Sequence, residues 1–383
     1  MSTAFSTATA QGARLLRPLS LAQPSRIEYG AGKASRLADF VPAWTERRVL
    51  VVADAFNASR VDLLNLPAEA MVFSEVRPEP DLPNLERLLG LARGFDPDLV
   101  IGFGGGSAMD LAKLTSVLVR SARRFTDIVG LDKADPRACL LLALPTTAGT
   151  GSEVGTRALI LDPESRAKLA ADSRHMVPDM AVIDPNLTTS LPPRVTAATG
   201  VDALAHCVEA FTSKRAHPLI DLYAREGIAL VGRYLTRAVA DGGDVEARAG
   251  LAMAALYGGL CLGPVNTTAG HALSYPLSTR YDVPHGLANA VIFPHTLAFN
   301  APAEPDKTAL VAHLLDLPGQ DVLAETFAYC QGLGVEMHMG RIGVPAEALE
   351  PMAREAHGIR RLLDFNPRDM GLDDILGIYR AAF

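Results

Sequence analysis

The chain has 383 residues, enough for two or three domains, and its 49% apolar and 21% charged residues exclude a wholly disordered polymer. Thirty-six basic against 43 acidic residues leave a net charge of −7 with no basic block, which argues against a nucleic-acid partner. The four cysteines (Cys139, Cys207, Cys261, Cys330) form no CxxC pair, which excludes a disulfide framework or thiolate zinc site and fits a reducing, cytoplasmic compartment.

Residues 1–24 are rich in Ala, Ser and Thr, with a short apolar stretch at Leu15 and Leu16. They read as a partly ordered tail rather than a secretory signal. An α/β region is expected over 25–190. Strands are expected at Val49–Ala53, Ala70–Val76, Leu99–Phe103, Leu140–Leu144 and Ala181–Ile183, with helical spacing at Leu85–Arg93 and Ala108–Val119. Such alternation predicts a parallel sheet covered on both faces. After Leu191-Pro192-Pro193 the strand signals stop, and 191–383 reads as mostly helical, with helices at Val195–Ser213, Pro218–Ala240 and Ala247–Leu262. Residues 249–270 carry no charge but contain Gly258-Gly259 and Gly263-Pro264, so a buried helix stopping near Pro264 is expected rather than a membrane span.

Two loops carry the chemistry of the first region. Leu99–Lys113 reads LVIGFGGGSAMDLAK, a strand, a glycine turn and a helix. The glycines allow a ligand to meet the backbone, and Ser107 with Asp110 is expected to form a capping box at the helix start. Free N–H groups there suit a phosphate, although the third glycine of the usual dinucleotide fingerprint is missing and a purely structural turn is also consistent. Pro145–Glu153 (PTTAGTGSE) offers hydroxyl and amide donors at the end of a second strand, and the two loops together favour a nucleotide crevice. Asp54, after the first strand, suits a ribose contact that repels a 2′-phosphate, or a plain turn.

In the second region Asp202 and His206 are four residues apart on one predicted helix face, compatible with a solvated pair or with metal ligation. His271 and His285 stand in weakly charged, apolar settings. One Asp and three His make a sufficient ligand set for Fe²⁺ or Zn²⁺, and residue types do not choose between them. The other histidines are expected to be structural or solvated.

The segments GGGSAMDLAK, LPTTAGTGSEV, ATGVDALAHCVEA and GHALSYPL followed by VPHGLANAVIFPH resemble the iron-containing (group III) alcohol dehydrogenases, from about Ile27 to the last helix. The resemblance implies an N-terminal Rossmann-like α/β nucleotide domain, a C-terminal helical metal-binding domain of the dehydroquinate synthase-like type, and an active site in the cleft between them. It implies Asp202, His206, His271 and His285 as ligands of one divalent metal, Fe²⁺ before Zn²⁺. Asp54, Gly105, Gly106, Ser107, Asp110, Thr146, Thr147 and Ser152 are implied as contacts of NAD(H), preferred over NADP(H), with Lys168 near the nicotinamide ribose. The implied reaction is hydride transfer between the nicotinamide and a small metal-bound primary alcohol or aldehyde. A homodimer or higher homo-oligomer without a membrane partner is expected.

Many members carry a histidine four residues after the third ligand; here that place is Tyr275, a proton relay or a wall of the substrate pocket. A glycerol dehydrogenase-like enzyme or a lyase on the same scaffold, and a non-catalytic nucleotide-binding protein, stay open as alternatives.

Overall fold

The computed structural model of the chain describes residues 14–383, so residues 1–13 of the expected tail lie outside the described residues. The chain divides into two compact units.

The first unit comprises Ala22–Pro192 and Asp241–Ala252. Its main sheet has six parallel strands, in the order β1 (Arg26–Tyr29), β9 (Met180–Ile183), β6 (Leu140–Pro145), β4 (Leu99–Gly104), β2 (Val49–Ala53) and β3 (Ala70–Phe73). Side chains alternate between faces along each strand. Val49, Val51, Ile101 and Leu142 therefore enter one apolar cluster, while Leu50, Val52, Val100 and Leu141 enter another on the opposite face. Both faces are covered, so these strands read as continuous apolar runs. The second cluster also takes up Leu85, Leu88 and Leu89 of helix α1 (Leu82–Phe95) and Leu111, Leu114 and Val117 of α2 (Gly106–Leu118).

A smaller sheet, β5 (Gly130–Leu131), β8 (Ala167–Asp172) and β7 (Arg157–Asp162), contains an antiparallel β7–β8 hairpin. Neither this hairpin nor β1 stands among the expected strands. The β7–β8 turn needs Arg166 at φ +54° and is bracketed by the charged Asp162, Glu164 and Lys168, which hides its alternation.

The second unit comprises the described residues up to Leu21, Pro193–Ala240 and Met253–Phe383. Helices α3 (Pro193–Thr212) and α4 (Pro218–Ala240) each begin on a proline, whose missing N–H costs nothing in a first turn. Helix α5 (Val245–Leu262) crosses the division between Ala252 and Met253. It is the one described helix long and apolar enough to span a membrane, yet 67% of it is buried within the protein, as a core helix would be. Helices α6 (Ala269–Tyr281) and α7 (His285–Asn300) follow. Leu273, Leu277, Val291 and Ile292 from these two pack with Met352, Ile375 and Tyr379 of the C-terminal helices, and Tyr379 Oη donates to the Leu273 carbonyl at 2.7 Å. Arg14 pairs with Glu304 at 2.7 Å, which fastens the start of the described chain to this unit.

Candidate metal centre and nucleotide loops

In the helical unit, Asp202, His206, His271 and His285 come together from α3, α6 and the first residue of α7. Asp202 and His206 are one turn apart on a helix buried on nearly all sides, with 1% and 4% of their surface exposed, so they are not a solvated pair. Asp202 Oδ1 lies 3.9 Å from His206 Nε2, 3.6 Å from His271 Nε2 and 3.8 Å from His285 Nε2. The two Nε2 atoms of His206 and His271 are 2.9 Å apart, with their rings stacked at 4.6 Å.

Charge follows from this crowding. Burial alone would raise the Asp202 carboxyl, but His206, His285 and His271 hold it far below the usual carboxylate range. Burial lowers His271, yet Glu209 and Asp202 outweigh it and push the imidazole up to about 10.

Two residues without an assigned role in the sequence reading complete the cluster. Glu209, one helical turn beyond His206, accepts from His271 Nδ1 at 2.7 Å. Asn289, one turn beyond His285, brings its Nδ2 to the Asp202 carboxylate, to within 3.1 Å of His271 Nε2 and to within 3.2 Å of His285 Nε2. Its Oδ1 is buried without a hydrogen-bond partner among the described residues. The spacing of four from a suspected ligand was the available signal for Asn289, and the spacing of three was that for Glu209. Tyr275 is buried, its ring centroid 5.9 Å from that of His285, and the Arg361 guanidinium stands over the Tyr275 ring, 5.6 Å from its centroid.

The donor set can be tested against a metal. Ligand distances near 2.1 Å in a tetrahedron place donor atoms about 3.4 Å apart. The separations of Asp202 from each imidazole and of His206 from His271, 2.9–3.9 Å, bracket that value, and the donor atoms of Asp202, His271 and His285 all lie within 4.8 Å of one another. With its Nδ1–H hydrogen-bonded to Glu209, His271 turns Nε2 toward a second imidazole nitrogen and a carboxylate, where a divalent cation can take the place of protons. The residues fit a divalent ion with nitrogen and oxygen ligands.

In the α/β unit the glycine turn lies where β4 meets α2. The expected capping box is corrected: α2 starts at Gly106, Gly105 is its N-cap, and no side chain caps it. Ser107 is already inside the first turn. Asp110 turns away from the helix start because tertiary partners claim it: Ser152 Oγ donates to Oδ1 at 2.7 Å and the Leu159 amide to Oδ2 at 2.9 Å. Uncapped N–H groups at a helix start fit a pyrophosphate. The turn is also tight, since a Cβ on Gly106 would approach Thr150 Cγ2 to 2.9 Å.

Lys113 sits beneath both loops with 1% exposed, donating to Ser152 Oγ at 2.7 Å and to the Arg157 carbonyl at 2.9 Å. Burial lowers its ammonium and Asp110 opposes that. Burial pushes the neighbouring Glu153 up to about 7. Asp54 caps the short helix Ala55–Ala58, accepting from the Asn57 amide at 2.9 Å and from Asn57 Nδ2 at 2.6 Å. Asn57 Nδ2 also reaches Thr146 Oγ1 at 3.3 Å, and Thr147 Oγ1 lies 3.4 Å from where a Gly105 Cβ would stand. Lys168, on β8, is paired with Glu79 at 2.5 Å.

Comparison with known proteins agrees with this architecture. The profile described as iron-containing alcohol dehydrogenase matches residues 24–185, and that of the Fe-containing alcohol dehydrogenase family, C-terminal, matches 196–383. Long-chain-alcohol dehydrogenase 1 of Geobacillus thermodenitrificans is 34% identical over 380 residues, covering 94% of this chain and 95% of that protein. A crystal structure of 1,3-propanediol oxidoreductase superposes with a TM-score of 0.87 at 29% identity, over 96% of this chain and all of the other. Sulfoacetaldehyde reductase from Bifidobacterium kashiwanohense, solved with NAD⁺, gives 0.86 at 28% identity, over 96% of this chain and 99% of the other. With both halves matched and a full-length relative above 30% identity, the chain belongs to the iron-containing alcohol dehydrogenase family, whose members are metal-dependent, NAD-linked oxidoreductases of alcohols and aldehydes.

Proposed function

We propose that this chain interconverts a small primary alcohol and its aldehyde, with Asp202, His206, His271 and His285 holding one divalent metal, Fe²⁺ in preference to Zn²⁺, and with NAD(H) in preference to NADP(H). The observation that carries the reading is the convergence of donor atoms of Asp202, His271 and His285 within 4.8 Å of one another, with His206 Nε2 lying 2.9 Å from His271 Nε2 and 3.9 Å from Asp202 Oδ1. When bound, the metal supplies Lewis acidity toward the substrate oxygen and the nicotinamide supplies or accepts the hydride.

The protein's own groups then divide the remaining tasks. Asp202 contributes the negative charge that makes the imidazole set attractive to a dication. Uncapped amides of Gly106 and Ser107 at the start of α2, next to Gly105, receive the pyrophosphate. Thr146 and Thr147 offer hydroxyls beside that turn. Asp110 and Ser152 act by bracing one loop against the other, since each is occupied by its partner. Asp54, partly exposed with its carboxylate capping a helix start, favours a ribose hydroxyl and repels a 2′-phosphate. Lys168, its ammonium paired with Glu79, is assigned to the nicotinamide ribose on the family resemblance. Tyr275 is assigned as a wall of the substrate site, because its buried ring packs beside His285. The four free thiols support a reducing, cytoplasmic setting.

The test is an anaerobic reconstitution of the metal-free protein with Fe²⁺ or Zn²⁺, followed by a panel of alcohols and aldehydes with each nicotinamide. NADH consumption with aldehydes, dependent on added metal, is expected. Turnover without metal, or product formed without NADH oxidation, refutes the reading.

A further inference from the structure

We infer that Glu209 is a positioning residue for the metal centre: its carboxylate holds the His271 proton on Nδ1, so that Nε2 is the nitrogen left to bind the dication. The inference rests on the proposed ligand set, and it adds a residue outside that set.

Glu209 is buried on α3, one turn after His206. Its Oε1 takes the His271 Nδ1 proton at 2.7 Å. Its Oε2 accepts from the Thr268 amide, from Thr268 Oγ1 at 3.2 Å and from the His271 amide at 3.5 Å. The carboxylate is thus fixed at several points and cannot swing away. A carboxylate accepts and never donates, so the hydrogen bond keeps a proton on Nδ1, and Nε2 is the nitrogen left to give its lone pair to a dication that displaces a proton there. That Nε2 is the atom 2.9 Å from His206 Nε2 and 3.6 Å from Asp202 Oδ1.

A separate observation bears on the same arrangement. Residue 270 is glycine, and a Cβ there would stand 2.6 Å from Glu209 Oε1 and 3.1 Å from its Cδ. The backbone beside the ligand leaves room for this carboxylate and for nothing more. Carboxylates behind ligating histidines fix the tautomer and ring orientation, and their loss typically costs tenfold to a hundredfold in metal affinity.

A competing role is available. Glu209 also satisfies amides at the start of α6, where Thr268 provides no side-chain cap, so it could serve that helix alone. The two roles separate in the metal-free protein titrated with Co²⁺ alone. Glu209→Gln, which keeps the shape, and Gly270→Ala, which displaces the carboxylate without removing it, are compared with the parent. The Co²⁺ Kd comes from chelator competition, the ligand field from the visible absorption bands, and Tm from the metal-free protein. Positioning predicts a Kd raised about tenfold to a hundredfold in both variants, shifted Co²⁺ bands, and a nearly parental metal-free Tm. A parental Kd and spectrum in either folded variant overturns the inference, whether or not Tm falls. If Glu209→Gln does not fold, Gly270→Ala decides. Failure of both to fold also counts against it, because the carboxylate would then serve the fold. His271→Ala is the control: a parental Kd there refutes the ligand set itself, whereas a weakened Kd there beside parental Glu209 variants refutes only this inference.

Discussion

Two buried polar clusters, one in each unit, solve the same electrostatic problem differently. Beneath the nucleotide loops, Asp110 and Glu153 are countered by the chain's own ammonium, Lys113, with Ser152 bridging Lys113 and Asp110. In the helical unit, Asp202 faces three imidazoles and an amide. Imidazoles can carry protons or lone pairs, so that cluster can accept an external dication in place of protons. A cluster built around lysine has its cation covalently attached and serves as scaffold. Burying charge is costly in either case unless it is matched.

The contrast breaks first if His285 is dispensable. His285→Ala should abolish nearly all turnover and lower bound metal well below one ion per chain by elemental analysis, with the metal-free fold intact. Full activity without bound metal would remove the distinction between the clusters. On the scaffold side, Lys113→Met leaves Asp110 and Glu153 buried without their cation. It should cost about 3–5 kcal/mol in denaturant unfolding, and a loss below about 1 kcal/mol would show that Lys113 is not the organising charge.

Glu153 sharpens the same point through pH. Its carboxyl is raised from 4.5 to about 7 by burial, so the folded state resists ionising it. Below pH 4.5 the group is neutral in both states and carries no penalty. Stability is lost as pH rises from 4.5 through 7 and the penalty is complete above that. Glu153→Gln should therefore stabilise by about 3 kcal/mol near pH 8 and by little near pH 4; an equal effect at both would refute burial as the cause. A smaller effect is expected at Asp54. Asp54→Gly should raise the NADP/NAD ratio of kcat/KM severalfold and cost a few tenths of a kcal/mol as a lost cap; an unchanged ratio refutes its discriminating role. Smallest of all, Tyr275→Phe should leave turnover within about threefold across the pH range. A fall of about ten- to a hundredfold would reassign Tyr275 to proton relay.

Legibility in the sequence followed how local each feature is. Strands β2, β4 and β6 were readable because burial on both faces writes itself as an apolar run, and α4 was found to the residue at Pro218 and Ala240. The β7–β8 hairpin was not, because its pairing outweighs a sequence marked by charge. Ser107 looked like a cap because its spacing to Asp110 is right, but Asp110 is drawn to Ser152 and Leu159, which lie more than forty residues away. Asp202, His206, His271 and His285 were legible as residue types within recognisable segments. Glu209 and Asn289 were overlooked for the opposite reason: what distinguishes them is a partner on another helix.

The placement of Asp241–Ala252 with the α/β unit bears on how such proteins could be recombined. Tyr29 Oη donates to the Ala249 carbonyl at 2.6 Å, and the buried Arg248 donates to the carbonyls of Gly242 and Leu191. The first unit is therefore a discontinuous module, closed by twelve residues that the chain delivers only after it has built α3 and α4. A chimera that swaps halves between relatives at Pro192 would inherit this closing segment from the wrong parent. Exchange that respects the module has to carry 241–252 along with 22–192, as a double crossover rather than a single one.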